Sequence, residues 1–88
     1  MTPTYRRSPA SIWRSSGNWL VAAVAPNAPT RMVGSAGLVW QQLAAPASLD
    51  DIVEGLAAVT GSEVTVIRAD VRALLAELVP LGLVEVLE

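Results

Sequence analysis

Alternating and uniformly apolar segments in the first third of the chain predict three short β-strands. The three segments are ASIWRSS at 10–16, WLVAAV at 19–24 and TRMV at 30–33. Gly17 and Asn18 tolerate positive φ, so the first two segments are expected to form a hairpin. The loop APNAP separates the second and third strands, because proline resists ladder positions. As the third strand of a meander, TRMV is expected to lie at an edge of the sheet.

Apolar residues at helical spacing predict three helices in the rest of the chain. The predicted buried stripes are Ala36, Val39, Trp40 and Leu43, then Ile52, Val53, Leu56 and Val59, and finally Ile67, Val71, Leu74, Leu75 and Leu78. The predicted helix starts are Ser35, Ser48 (with Asp51 completing a capping box) and Thr65, and the predicted ends of the second and third helices are Gly61 and Pro80. The segment LVEVL at 83–87 alternates weakly, which fits either a last short strand or a tail.

Three strands followed by three helices predict an α+β domain, a three-stranded antiparallel sheet followed by a three-helix bundle. We expect residues 1–8 to be a flexible N-terminus and residues 9–88 to form the domain. The longest uncharged run, Met32 to Leu49, is interrupted by polar residues, glycines and a proline, so no membrane span is expected. The first residues also lack the apolar core of a secretory signal, so cytoplasmic residence is the default expectation.

The charged and reactive residues argue against an enzyme. Histidine and cysteine are absent, which removes the commonest general base, thiolate chemistry and the usual zinc ligands. Asp50 and Asp51 suit the positive end of a helix dipole, and Asp70 and Glu77 stand two turns apart. The segment GSAG lacks the lysine and the spacing of a phosphate loop. We therefore expect no catalytic residue, no metal and no cofactor.

Net charge and aromatic content refine this expectation. Six arginines against eight acidic residues give a net charge of −2, which disfavours a nucleic-acid partner. Trp40 sits on a helix stripe and is expected in the core. Trp13 and Trp19 flank the hairpin turn, where cross-strand pairing and packing are favoured over an exposed binding role.

Three ordered segments carry a family resemblance. The sequence VGSAGLVWQQL, then PASLDDIVEGLA, then ADVRALLAELVPLGLV resembles the PqqD-like family, with the resemblance spanning residues 11–86. Its members are the recognition elements, or peptide chaperones, of pathways that make ribosomally synthesised and post-translationally modified peptides (RiPPs). The resemblance implies a winged helix-turn-helix-like fold. It also implies a non-catalytic adaptor that binds the leader of a precursor peptide and presents the precursor to a modifying enzyme.

The resemblance also implies a site. The leader would add as a strand against TRMV and lie in the groove beside the third helix, since an edge strand offers unpaired main-chain groups. The implied leader-binding residues are Thr30, Arg31, Met32, Val33, Ile67, Asp70, Val71, Ala73, Leu74 and Glu77. Met32 would be an adaptable pocket wall. Arg31 would either meet an acidic leader residue or guard the edge against aggregation. Many relatives carry asparagine after the third strand, where this chain has Val33 and Gly34.

Several partners and two other classes of function stay open at this point. The resemblance implies a separate enzyme: a leader protease or cyclase in a lasso-peptide pathway, or a radical enzyme in a redox-cofactor pathway. The first alternative is a winged-helix DNA-binding regulator, although Arg68 and Arg72 on the third helix are cancelled by Asp70 and Glu77. The second is a scaffolding subunit that self-associates through its edge strand. The expected state is a monomer or a strand-exchanged dimer.

Overall fold

The fold is seen in a computed structural model that describes residues 2–17 and 19–87. In chain order its elements are β1 (Thr4–Arg7), β2 (Ile12–Ser16), β3 (Trp19–Ala23), β4 (Thr30–Val33), α1 (Ser35–Gln42), β5 (Ala47–Ser48), α2 (Leu49–Thr60), α3 (Val64–Leu78) and β6 (Val84–Leu87). The α+β class is confirmed, as is a three-stranded antiparallel sheet followed by three helices. The likeness to a winged helix-turn-helix stays a prediction.

The predicted meander forms the sheet β2-β3-β4. Ser16 pairs with Trp19 across the first turn, and Trp19 pairs in turn with Val33 of β4. Gly17 has a φ of 60°, which an L side chain rarely adopts, so the predicted turn chemistry holds at that residue. The other predicted turn residue, Asn18, lies outside the described residues. Strand alternation directs Leu20, Ala22 and Met32 into the core, where each is buried.

A second sheet, β5-β1-β6, joins the two ends of the chain. Within residues 1–8, expected to be a flexible N-terminus, Thr4–Arg7 form a paired strand. Thr4 pairs with both Ser48 and Leu87, and Arg7 pairs with Val84. The strand forms because its backbone is hydrogen-bonded to partners distant in sequence, while Tyr5 packs against the core. Of the two interpretations of the last segment, the structure supports a strand.

The helix boundaries follow local capping chemistry at one helix and depart from the predictions at two. At α2, the Ser48 hydroxyl accepts from the Asp51 N–H at 3.1 Å, and an Asp51 carboxylate oxygen accepts from the Ser48 N–H at 3.3 Å. This is the predicted capping box, and the predicted end at Gly61 is also confirmed. Ser35 and Thr65 are not caps, because the N-cap residues are Gly34 and Glu63. Gly34 turns the chain with a φ of 59°, which moves the start of α1 one residue earlier than predicted.

The core lies between the sheet β2-β3-β4 and the three helices. Predicted stripe residues fill it, among them Val39, Ile52, Val53, Ile67, Val71 and Leu75. Val59 is an error, since it is 66% exposed beyond the end of the α2 stripe, and Leu74 is half-buried. Trp40 is fully buried as predicted.

The other two tryptophans do not pair with each other. Trp13 stands opposite Ala22, whereas Trp19 stands opposite Ser16, so the two rings lie on opposite faces of the sheet. Trp13 is half-buried and makes an edge-to-face contact with Trp40, with ring centroids 6.2 Å apart. Trp19 is 37% exposed, contrary to the packed position expected for it. The hairpin register explains both outcomes. Trp13 shares a face with its partner Ala22, and Ala22 is three positions from Trp19 on the same strand, so Trp19 points to the other face.

Candidate functional site

The strand β4 is an end strand of its sheet. In the described part of the chain it pairs with β3 on one side, and the strand order β2-β3-β4 leaves its other side without a strand neighbour. Such an edge presents main-chain N–H and C=O groups to which another extended segment can bind. This is the arrangement that the sequence predicts for residues 30–33.

The pairing register indicates which groups point outward. Two residues separate the paired Ser16 and Trp19, and the closing pair of a two-residue hairpin exchanges both of its hydrogen bonds. Because hydrogen-bonded pairs alternate, β3 directs the main-chain groups of Leu20 and Ala22 toward β4. Their partners are Met32 and Thr30. It follows that Arg31 and Val33 direct their N–H and C=O groups to the open edge.

The side chains of β4 divide between the two faces of the sheet. Met32 is 2% exposed and belongs to the core, and Thr30 on the same face is half-buried. Met32 therefore cannot present its side chain as the adaptable wall that the sequence suggests without leaving the core. Arg31 and Val33 point to the opposite face and are exposed, Val33 at 57%.

A cleft of about 110 Å³ lies between α1 and α3, and it begins at Ser35, two residues after β4. Four of the predicted site residues line it: Ile67, Asp70, Val71 and Leu74. They follow the i, i+3, i+4, i+7 pattern of one helix face. Ala73 and Glu77 do not line the cleft and are exposed elsewhere on α3.

Other residues on α1, α2 and α3 that line the cleft were not among the predicted site residues. Leu38 and Val66 are the exposed apolar members, at 36% and 55%. Hydroxyl groups are added by Ser35 at the start of α1 and by Thr60 and Ser62 at or just after the end of α2. The signal for Leu38 and Val66 is present in the sequence. Each is an aliphatic residue next to, but not on, the buried stripe of its helix, a position where exposed apolar surface is expected to have a use.

Charge in the cleft is confined to Asp70, which is exposed and is the one ionisable residue among those lining it. Arg68, two positions before Asp70, forms an ion pair with a residue outside the cleft. The Arg68 guanidinium Nη1 lies 2.6 Å from the Asp50 carboxylate on α2. The basic contribution of α3 is therefore reduced by an ion pair within the molecule.

A cluster around Arg7 holds β1 against the rest of the fold. Nε and Nη2 of Arg7 donate to the Trp40 carbonyl at 3.0 and 2.6 Å. The guanidinium carbon also lies 4.8 Å from the Trp13 ring centroid and 5.2 Å from that of Trp40. Burial lowers the pKa of Arg7 from its ordinary value, while the carbonyl and the two aromatic faces stabilise the charged form. This cluster connects β1 to the hairpin and to the C-terminal turn of α1.

The described residues hold neither a metal-binding cluster nor a membrane-spanning helix. Over residues 2–17 and 19–87, no group of three or more acidic, histidine or cysteine side chains could hold a metal ion. Within those ranges no helix is both long enough and apolar enough to cross a bilayer. The candidate site consists of the open edge of β4 and the adjoining cleft.

Comparison with known proteins gives one family match. Residues 26–84, about two-thirds of the chain, match the family model described as Coenzyme PQQ synthesis protein D (PqqD). The matched region contains β4, all three helices and every residue that lines the cleft. No curated protein and no solved structure matches the chain at a significant level.

Proposed function

We propose, from the premise that this chain belongs to the PqqD family, that it is a non-catalytic adaptor for the leader of a precursor peptide. Members of the family are accessory proteins that bind a peptide in RiPP or pyrroloquinoline quinone biosynthesis. The finer proposal is that the leader adds as a strand to β4 and that the adaptor then delivers the precursor to a modifying enzyme. The observation that carries it is the open edge of β4 beside an apolar cleft.

Main-chain hydrogen bonds would supply much of the affinity. The N–H and C=O groups of Arg31 and Val33 offer a leader two donors and two acceptors in the spacing of a β-ladder. Among the described residues, none of either end strand of this sheet lines the cleft, but β4 ends two residues before Ser35, which does line it, whereas β2 lies on the far side of β3. A leader on β4 can therefore combine strand pairing with side-chain recognition, whereas a leader on β2 cannot reach the same cleft.

The cleft would supply specificity. Leu38, Val66 and Leu74 offer apolar contact to one leader side chain of aliphatic or aromatic character. Asp70 at its border would favour a basic leader residue nearby. In this proposal Ile67 and Val71 form the floor of the cleft from within the core, and Thr30 and Met32 act through backbone pairing with β3. Ala73 and Glu77 would contact a leader that continues along α3 past the cleft.

The charge on α3 favours this function over DNA binding. A recognition helix needs free basic side chains to contact phosphates and bases. Arg68 is paired with Asp50 of α2, and the two arginines of α3 are matched in number by Asp70 and Glu77, so the helix has no net positive charge. We propose a cytoplasmic adaptor that works with a separate leader protease, cyclase or radical enzyme, as a monomer or a strand-exchanged dimer. The lasso-peptide type is our preferred subclass.

A fluorescence-polarisation titration tests the proposal. The probe is the fluorescein-labelled leader of the precursor encoded beside this chain, titrated with the full chain. We expect saturable binding with a Kd of about 1 μM or tighter, equivalent to about −8 kcal/mol. A scrambled leader of the same composition is the matched control. Absence of a saturable signal at protein concentrations well above micromolar would contradict the adaptor proposal.

A further inference from the structure

The sheet β2-β3-β4 has a second face, which points away from the core and which leader binding does not use. We call it the outer face and define it by Ile12, Arg14, Trp19, Val21, Arg31 and Val33. Strand alternation places these residues opposite the buried Leu20, Ala22 and Met32. The outer face therefore borders the open edge of β4, because Arg31 and Val33 belong to both.

The outer face is apolar at its centre and exposed. Ile12 is 75% exposed, Val33 57% and Trp19 37%. A shallow hollow of about 410 Å³ surrounds Val21, between the side chains of Ile12, Trp19 and Pro29. Exposed apolar groups that adjoin one another in this way are typical of a surface that binds another protein, whereas scattered ones are not.

The charge of the outer face is purely positive. Arg14, Val21 and Arg31 stand in one row across the three strands, so the two guanidinium groups flank the apolar centre. Arg31 lies 5.9 Å from the centroid of the Trp19 ring. The ion pairs found in the described residues involve Arg6 and Arg68, not Arg14 or Arg31. Moreover, residues 1–49 contain no aspartate or glutamate at all, although the whole chain has a net charge of −2.

The apolar centre and positive border of the outer face indicate which kind of partner could bind there. Two copies of the outer face placed against each other would bring arginine against arginine, which disfavours a symmetric dimer. Two arginines would contribute only about 2 kcal/mol to binding at an anionic membrane, and the face carries no lysine cluster. A protein surface with an apolar centre and carboxylates at its border complements both the hollow and the two guanidinium groups.

We infer that the outer face binds the modifying enzyme, through an apolar patch bordered by acidic side chains on that enzyme. This inference rests on the proposed function, because it assigns a place to the enzyme to which the leader is delivered. A leader strand added to β4 would extend the sheet by one strand. Its outward side chains would then lie beside Arg31 and Val33, so that the enzyme contacts adaptor and leader together.

One consequence is coupling between the two partners. An enzyme that contacts both adaptor and leader binds the complex more tightly than the adaptor alone. By linkage, the enzyme tightens leader binding by the same factor. Substitution on the β2 side of the outer face, which is far from the edge of β4, should weaken enzyme binding without changing leader binding.

The experiment uses biolayer interferometry with the purified modifying enzyme encoded beside the precursor gene. The full chain is compared with Arg14→Glu and Ile12→Ser, and Arg72→Glu on the exposed side of α3 is the matched charge-reversal control. We expect Arg14→Glu to weaken enzyme binding about tenfold at low salt, Ile12→Ser to weaken it several-fold, and Arg72→Glu to leave it unchanged. Leader affinity by fluorescence polarisation should stay the same in all three.

The outcomes separate this inference from the proposed function. Enzyme binding that is equal for the full chain and Arg14→Glu, with leader binding intact, overturns the inference alone. Binding of the full chain to vesicles of phosphatidylcholine with 30% phosphatidylglycerol, abolished in Arg14→Glu, would assign the face to a lipid surface and overturn it. Sedimentation showing self-association that Arg14→Glu abolishes would assign the face to a second copy and likewise overturn it. Failure of the unmodified chain to bind the leader counts against the proposed function instead.

Discussion

Two three-stranded sheets share the arginines of the first half of the chain, and they use them differently. In β5-β1-β6, Arg6 pairs with Glu85 at 2.8 Å, and Arg7 is held by the Trp40 carbonyl and two indole rings. In β2-β3-β4, Arg14 and Arg31 extend from a face without acidic residues. The arginines of the first sheet thus make contacts within the molecule, whereas those of the second are left for partners beside the open edge of β4. The contacts of the arginines therefore distinguish the two sheets. In the sheet that joins the two ends of the chain they have partners within the molecule, and in the proposed binding sheet they are exposed to solvent.

The largest expected effect is a loss of stability when the sheet β5-β1-β6 is disrupted. Arg7→Ala removes charge-assisted hydrogen bonds and two cation–π contacts, and should lower the free energy of unfolding by about 2–3 kcal/mol. Urea denaturation followed by tryptophan fluorescence measures it. Arg14→Ala, an exposed arginine of the other sheet, is the control and should change stability by less than about 0.5 kcal/mol. Equal losses in the two variants would contradict the distinction between the sheets.

The next effect concerns the open edge. Val33→Pro removes an N–H that points away from β3, so the fold should persist while leader affinity falls about tenfold. Met32→Pro removes an N–H that bonds to β3, so this variant should lose the hairpin sheet. Circular dichroism reports the fold and fluorescence polarisation reports the affinity. Unchanged leader affinity in a folded Val33→Pro variant would exclude β4 as the docking strand.

A smaller effect is expected where β5 meets α2. Ser48 belongs to β5 and also caps α2, so Ser48→Ala should lower stability by about 1 kcal/mol without affecting leader binding. Ser48→Asp keeps an acceptor at the N-cap and should restore most of the loss. Thermal unfolding together with leader titration measures both quantities. Weaker leader binding by Ser48→Ala would show that the sheet β5-β1-β6 is not separate from the site.

The smallest effect has the opposite sign. Gly37 lies within α1, and a Cβ atom added there would meet no other atom within 4 Å. Gly37→Ala should therefore raise the free energy of unfolding by about 0.5–1 kcal/mol through helix propensity. Gly34→Ala is the contrasting variant, because its φ of 59° strains any L side chain, and it should destabilise the protein. Chemical denaturation distinguishes a gain from a loss in each case.

The sequence pattern predicts the elements that depend on residues close together in the chain. The hairpin meander follows from alternation and the glycine at position 17, and the Ser48 cap follows from an acid three residues later. The sheet β5-β1-β6 could not be predicted in this way. The strand β1 carries the polar sequence TYRR and pairs with residues about 80 positions away, while β5 has two residues. Its stability comes from Arg7 and Tyr5 packing against elements that sequence periodicity does not connect.

The candidate site was predictable to a similar extent. The α3 stripe placed Ile67, Val71 and Leu74 on the side that faces α1, and the cleft lies there. Periodicity does not fix helix rotation beyond the stripe, so the sequence cannot separate Ala73 and Glu77 from the residues that line the cleft. Leu38 lies outside the buried stripe of α1, so periodicity does not indicate it, and its exposed apolar side chain contributes to a cleft only because α3 lies beside it.

Amide hydrogen exchange, resolved by NMR, tests the central claim most directly. In the free protein the Thr30 and Met32 amides should already be protected by β3, whereas those of Arg31 and Val33 should exchange freely. Addition of the leader should protect Arg31 and Val33 and leave the amides of β2 unchanged. Protection of Arg31 and Val33 before any leader is added, or leader binding that leaves both amides unprotected, would contradict strand addition at β4.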